Sequence, residues 1–228
     1  MQKQSLWGIS SFSKLTGGKL WNLKHFEVVR MLDFYSRNHS IRVKDISIEL
    51  GWLMGIKEER LIKLGIAALL HDIGKIVIDK SILTKKHSLS YKEYQLIKLH
   101  PELGEMIWNK LNGDRFISQV IVSHHEHYDG NGYPFGLSGD AIPIEGRIIA
   151  VADALDAMMS YRSYRRSLTF ERAISVLQEG CGNQFDPDVV QAILRIPEII
   201  NVHNFRGTAN PMHGNKNKNQ KYLTKTFQ

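Results

Sequence analysis

One carboxylate sets the terms for this chain. Asp153 lies within Ile148-Ile149-Ala150-Val151-Ala152-Asp153-Ala154-Leu155, inside a strongly apolar segment that reads as a helix from about Ile144 to Met159. A carboxylate on such a helix carries a desolvation cost on the order of several kcal/mol unless a cation or hydrogen-bond donors meet it. Any fold open to this chain has to bring such partners to Asp153.

Candidate partners stand at the ends of the other apolar segments. Glu58 to Leu70 carries Leu61, Ile62, Leu64, Ile66, Ala67 and Leu70, apolar on more than one face, so it reads as a buried helix. It runs straight into His71-Asp72-Ile73-Gly74-Lys75. Asp114 to His125 reads as a helix that delivers His124 and His125 and then breaks into a loop ending Gly132-Tyr133-Pro134. His39 falls at the start of a helix through Ile41, Val43, Ile46, Ile48 and Leu50 that stops at Gly51, and His100 precedes Pro101. Taken singly each has an ordinary explanation: a cap for His39, a helix-dipole contact for His71-Asp72, loop chemistry for His100.

The remaining segments are helical as well. Apolar spacing predicts a helix from about Leu20 to Phe34, and Ser90-Tyr91-Lys92-Glu93 has the form of a capping box. Pro101 suits the first turn of the helix that follows it. Thr169 heads a helix to Glu179, and Asp186-Pro187 heads another to about Ile196. There is no βαβ alternation, no hairpin signal and no internal repeat. The expected class is all-α, one domain of about seven to nine helices.

Composition narrows the setting. With 228 residues and 43% apolar content the chain can bury one good-sized core. The single cysteine, Cys181, forms no internal disulfide, and no stretch has the length of a membrane span or a signal peptide, so a cytoplasmic protein is expected. Of the net charge of +7, residues 206–228 contribute five cations (Arg206, Lys216, Lys218, Lys221, Lys225) and no acid. That tail reads as disordered and solubilising, so the basic balance is no argument for DNA binding.

Together the five histidines and two aspartates describe a centre rather than seven coincidences. In a helical bundle, ligands on different helices converge on the core. Seven N/O ligands exceed what one ion needs, whereas two ions sharing a carboxylate use them all, with Asp72 beside His71 as the bridge. Two metals about 3.5–4 Å apart suit attack of a bridging hydroxide on phosphorus. The absence of thiolate ligation excludes a structural zinc ribbon, and mixed imidazole and carboxylate ligation points to iron or manganese.

These residues resemble a known family. His71-Asp72 with a distant Asp153 is similar to the HD phosphohydrolase superfamily, and the longer pattern resembles its HD-GYP branch, the bacterial cyclic di-GMP phosphodiesterases. The resemblance covers about residues 30–196. It is carried by Asn38-His-Ser-Ile-Arg-Val43, His71-Asp-Ile-Gly-Lys75, His100-Pro-Glu-Leu-Gly104, His124-His-Glu-His-Tyr-Asp-Gly-Asn-Gly-Tyr-Pro134 and Ala150-Val-Ala-Asp-Ala-Leu-Asp-Ala157. Arg162-Ser-Tyr-Arg165 and Gly182-Asn-Gln-Phe-Asp-Pro187 complete it.

The resemblance implies metal ligation by His39, His71, Asp72, His100, His124, His125 and Asp153, with Asp72 and Lys75 at the reaction. It implies phosphate contact by Lys75 and substrate binding by Asp156, Arg162 and Arg165. The Gly132-Tyr133-Pro134 signature loop is expected to serve the fold and contacts to GGDEF-type cyclases, and to supply no ligand. Two departures stand out. Tyr35 replaces the glutamate that gives some members a third metal, so two ions are expected, and Ser163 replaces a proline, which loosens the loop of Arg162.

The organisation expected is a leader or linker over 1–22, an HD-GYP phosphohydrolase domain over 23–205 and the tail over 206–228. The expected hydrolase cleaves cyclic di-GMP to pGpG, with a second cut to GMP left open, and has a cyclase or another signalling protein as partner and room for a homodimer. About 30 N-terminal residues hold no conventional sensor domain, so regulation is expected from a partner, from expression or from metal state. The rival readings are an HD-type nucleotidase, a hydrolase of ppGpp or another cyclic dinucleotide, or a module that binds nucleotide or a cyclase without cleaving.

Overall fold

The computed structural model describes residues 34–85, 87–160 and 167–196, with backbone alone for residues 34–36. The leader at 1–22, nearly all of the helix expected over 20–34, the tail at 206–228, and Arg162, Ser163 and Arg165 lie outside the described residues, as does the side chain of Tyr35.

Among the described residues every regular element is helical. The first elements are α1 (Phe34–Leu53) and α2 (Glu58–Leu70), with a 3-10 turn at Ile73–Val77 and a single helical turn, α3 (Lys80–Leu83), after them. They are followed by α4 (Tyr91–Lys98), α5 (His100–Lys110), α6 (Arg115–Ser123) and α7 (Ile144–Met159). The last two are α8 (Phe170–Glu179) and α9 (Pro187–Ile193). The only strand-like pairings among these residues are isolated bridges, Asp129 with Ser138 and Cys181 with Phe185. The all-α expectation holds.

Side-chain caps start the helices where the sequence placed them. The Ser90 hydroxyl accepts from the Glu93 amide while the Glu93 carboxylate accepts from the Ser90 amide, the reciprocal pair of a capping box. Asp114, Thr169 and Asp186 cap α6, α8 and α9 more simply, each side chain accepting from first-turn amides.

Two helix bounds differ from expectation. α1 begins at Phe34 and passes through Gly51 to Leu53, so His39 stands inside a helix and not at its start. Gly51 is tolerated there because the space of its missing side chain is filled by α2: a Cβ would lie 2.7 Å from Leu64 Cδ2 and 2.8 Å from Leu61 Cδ1. The reversal comes later, at Gly55, with φ +75°. α9 stops at Ile193, short of the expected Ile196.

The core is layered around α7, whose Ile148, Ile149, Val151, Ala152 and Leu155 are fully buried. α1 packs on α2 and α7, α6 on α2, α5 and α7, and α8 on α7. The 3-10 turn after α2 lies against α5. Gly74 makes that approach feasible, since a Cβ there would overlap the carbonyl of His100. The ends of α2, α4 and α6 thus bring His71, His100 and His124 together beside α1 and α7.

Candidate metal centre

Three imidazoles stand where helices end. His71 follows α2, His100 follows α4 at the head of α5, and His124 follows α6. Carbonyls in the last turn of a helix run out of helical N–H partners. Each imidazole folds back onto one of them. Nδ1 of His71 donates to the Ala68 carbonyl (2.7 Å), Nδ1 of His100 to that of Ile97 (2.8 Å) and Nδ1 of His124 to that of Ile121 (2.6 Å). A carbonyl only accepts, so the proton resides on Nδ1 and Nε2 keeps its lone pair.

Those lone pairs converge in two triads. The donor atoms of His39, His71 and Asp153 lie within 4.8 Å of one another, and so do those of His100, His124 and His125. In the first, His39 Nε2 is 3.1 Å and His71 Nε2 4.0 Å from Asp153 Oδ1. In the second, the Nε2 atoms of His100 and His124 are 3.2 Å apart. Asp72 stands between them. Its Oδ2 is 3.5 Å from His71 Nε2 and 3.8 Å from His39 Nε2, while its Oδ1 is 3.3 Å from His100 Nε2. One oxygen faces each triad, and all seven residues expected at the centre are in it.

Electrostatics distinguish the two halves. Burial pushes the His124 imidazole well below its ordinary value and takes His125 down to about 3, with neighbouring imidazoles adding to both shifts. Burial also lowers His71. Burial acts downward on His39 too, but its bonds to Asp153 and Asp156 outweigh it and hold the group up at about 9. Burial would raise the Asp72 carboxyl, yet the Lys75 ammonium and the flanking imidazoles hold it well below the carboxylate range.

The donors fit divalent metal ions. His71 Nε2 is buried with no hydrogen-bond partner, its other nitrogen already committed to Ala68. A buried lone pair of that kind is costly unless a cation meets it. The set is imidazole and carboxylate without sulfur, which suits ions of intermediate hardness.

Lys75, expected at the phosphate, has its ammonium 2.7 Å from both Asp72 oxygens and remains partly exposed. Asp156, expected at the substrate, is fully buried behind His39. Its Oδ2 accepts from His39 Nδ1 (2.7 Å), Arg42 Nη2 (3.0 Å) and the Ser160 hydroxyl (3.1 Å), and its Oδ1 accepts from Arg42 Nε (2.6 Å). The spacing of three residues puts Asp156 near Asp153 along α7 but on the side facing α1, where Arg42 claims it. Asp156 therefore fixes the orientation of the His39 imidazole. Sequence reasoning passed over Arg42, although its position three residues after His39 on α1 was a usable signal.

The signature loop contributes a wall and no ligand. Glu126 is buried, and its carboxylate accepts from the amides of Phe135 (2.7 Å) and Leu137 (3.1 Å), pinning the loop back. Gly132 is required by crowding, because a Cβ there would overlap the His127 amide. The Tyr133 amide donates to the His125 carbonyl at 3.1 Å, and Pro134 follows through a cis peptide bond. The Tyr133 ring stacks on the His125 imidazole, centroids 4.9 Å apart and planes 23° apart.

Comparison with known proteins bears on this geometry. The HD domain family model matches residues 28–189. The chain is 44% identical over 146 residues to the cyclic di-GMP phosphodiesterase response regulator RpfG of Xanthomonas campestris pv. campestris, covering 62% of this chain and 38% of that one. It is 34% identical over 166 residues to the 3'3'-cGAMP-specific phosphodiesterase 3 of Vibrio cholerae, covering 73% and 36%. The chain spans half or less of the length of the curated relatives it matches. Among solved structures, Bd1817, an HDG"Y"P protein from Bdellovibrio bacteriovorus, superposes with a TM-score of 0.61 at 22% identity, covering 82% of this chain and 62% of that one. That likeness establishes the fold.

Proposed function

This chain belongs to the HD domain family, and from that premise we propose that it is a metal-dependent phosphodiesterase that hydrolyses cyclic di-GMP to pGpG, with GMP as the product of a second cut. The observation that carries the reading is Asp72, one oxygen toward each of two buried triads. His39, His71 and Asp153 would hold one ion and His100, His124 and His125 the other, with Asp72 shared. Two divalent ions, iron or manganese, supply Lewis acidity toward phosphoryl oxygens and lower the pKa of coordinated water toward neutrality.

The chain's own residues do the rest. Burial at the triads excludes bulk water and strengthens each charge interaction. Lys75 places an ammonium beside Asp72, where it offsets charge on the scissile phosphodiester. Arg162 and Arg165 supply forks for phosphate or guanine edges. Asp156, anchored by Arg42, keeps His39 turned toward the first ion. Exposed Phe135, beside the signature loop, offers a contact for a cyclase or other signalling partner. Among the described residues no helix is long and apolar enough to cross a membrane, and a cytoplasmic setting is part of the same proposal.

A second reading, preference for a mixed guanine–adenine cyclic dinucleotide, is favoured by the relative of that specificity from Vibrio cholerae. Product analysis decides between them. Protein loaded with iron or manganese without oxygen is incubated with cyclic di-GMP, 3'3'-cGAMP and ppGpp. Formation of pGpG supports the proposal, faster turnover of 3'3'-cGAMP supports the second reading, and turnover of ppGpp alone overturns both. A non-cleaving module is disfavoured by the complete set of seven candidate ligands.

A further inference from the structure

A cyclic dinucleotide carries two phosphodiesters in one small ring, so when one is at the metals the other lies in the same mouth with a charge of its own. Lys75 is already engaged with Asp72. Lys98 is placed differently. Its ammonium lies 4.5 Å from the centroid of the Tyr133 ring and 5.8 Å from that of Tyr94. It is partly exposed, and among the described residues no carboxylate comes within ion-pair distance of it. Tyr133 in turn stacks on His125, so this cation is one aromatic ring away from the second triad.

The manner of holding matters. A carboxylate would fix the ammonium and also neutralise it, whereas aromatic faces fix it and leave the charge intact. Lys98 is the last residue of α4, two residues ahead of His100, so its stem leaves the same helix end that delivers a candidate ligand to the centre. The Tyr133 that steadies it comes from a loop pinned by buried Glu126. The Lys98 ammonium is thereby held beside the ring that stacks on His125.

We propose that Lys98, steadied by Tyr133 and Tyr94, is a substrate-binding residue that takes the phosphodiester not being cut. This rests on the cyclic dinucleotide reading above. The test compares two substrates on the metal-loaded full chain: cyclic di-GMP, with two phosphodiesters, and bis(p-nitrophenyl) phosphate, with one. In Lys98→Met the ratio of kcat/KM for the first over the second falls roughly tenfold, mainly through KM for cyclic di-GMP. Lys98→Arg restores the ratio to within about threefold, because a guanidinium also binds phosphate and stacks on aromatic rings. An unchanged ratio in Lys98→Met, whether both activities fall together or neither does, overturns the proposal. Wild-type protein that cleaves bis(p-nitrophenyl) phosphate but no cyclic dinucleotide overturns the functional reading itself, and this proposal with it.

Discussion

Nδ1 of His39 lies 2.7 Å from Oδ2 of Asp156, and Arg42 grips the same carboxylate through both Nε and Nη2. A buried carboxylate behind an imidazole fixes its orientation and makes it a more basic ligand. The first triad has this support. In the second, His100 and His124 lean on backbone carbonyls and His125 on an aromatic ring.

Removing the charge behind His39 should weaken the first ion specifically. Asp156→Asn is expected to lower its affinity about 10–100-fold. A chelator-competition titration with manganese measures it, and affinity within twofold of wild type would contradict the orienting role.

Ring stacking should matter more than the tyrosine hydroxyl. Tyr133→Phe keeps the stack on His125 and is expected to retain both ions, whereas Tyr133→Ala loses the wall and about tenfold in affinity for the second ion. Equal metal content in the two variants, measured after gel filtration, would show that the stack is dispensable.

The signature loop should also be a stability element. Gly132→Ala drives a methyl into the His127 amide and the Glu126 backbone, which cannot move without unseating the Glu126 carboxylate from Phe135 and Leu137. A destabilisation of about 1–3 kcal/mol is expected from such overpacking. Urea unfolding measures it, and a wild-type midpoint would count against the crowding.

Stability of the chelator-treated protein should peak near pH 6.5. Below that value unfolded histidines take up protons that buried His71, His124 and His125 refuse, so stability falls as pH drops. Above it the unfolded chain has lost the proton that folded His39 keeps up to about 9, so stability falls again as pH rises toward 9. The stabilisation from Asp72, Asp153 and Asp156, all lowered when folded, is present above about pH 4 and lost in stronger acid. His127, also lowered by burial, joins His71, His124 and His125, so several groups act on the acid side of the peak and His39 on the alkaline side, and the acid limb is steeper. Denaturant titrations across pH read the curve; stability that is level from 6.5 to 9 would contradict the His39 assignment.

Five of the seven candidate ligands were legible in the sequence because each is an anomaly of burial. Asp153 interrupts an apolar helix, and His71, Asp72, His124 and His125 close helices too apolar to end in solvent. Depth and direction were less legible. Asp156 shares the spacing of a substrate-facing residue, but whether it faces outward or toward α1 depends on where Arg42 lies, a contact across 114 positions. The start of α1 was hidden because Ser36, Arg37 and Asn38 dilute its apolar period and Gly51 resembles a stop. Lys98 gave no signal, since its partner Tyr133 lies on a loop whose course is set by Glu126, and no periodicity records that.

The shared role of Asp72 is the centre of the account, and elemental analysis of anaerobically loaded protein tests it most directly. Wild type should hold two ions per chain and convert cyclic di-GMP to pGpG. Asp72→Ala should hold one ion or fewer and produce no pGpG, because both triads lose an oxygen. An Asp72→Ala protein that keeps two ions and turns over cyclic di-GMP would contradict it.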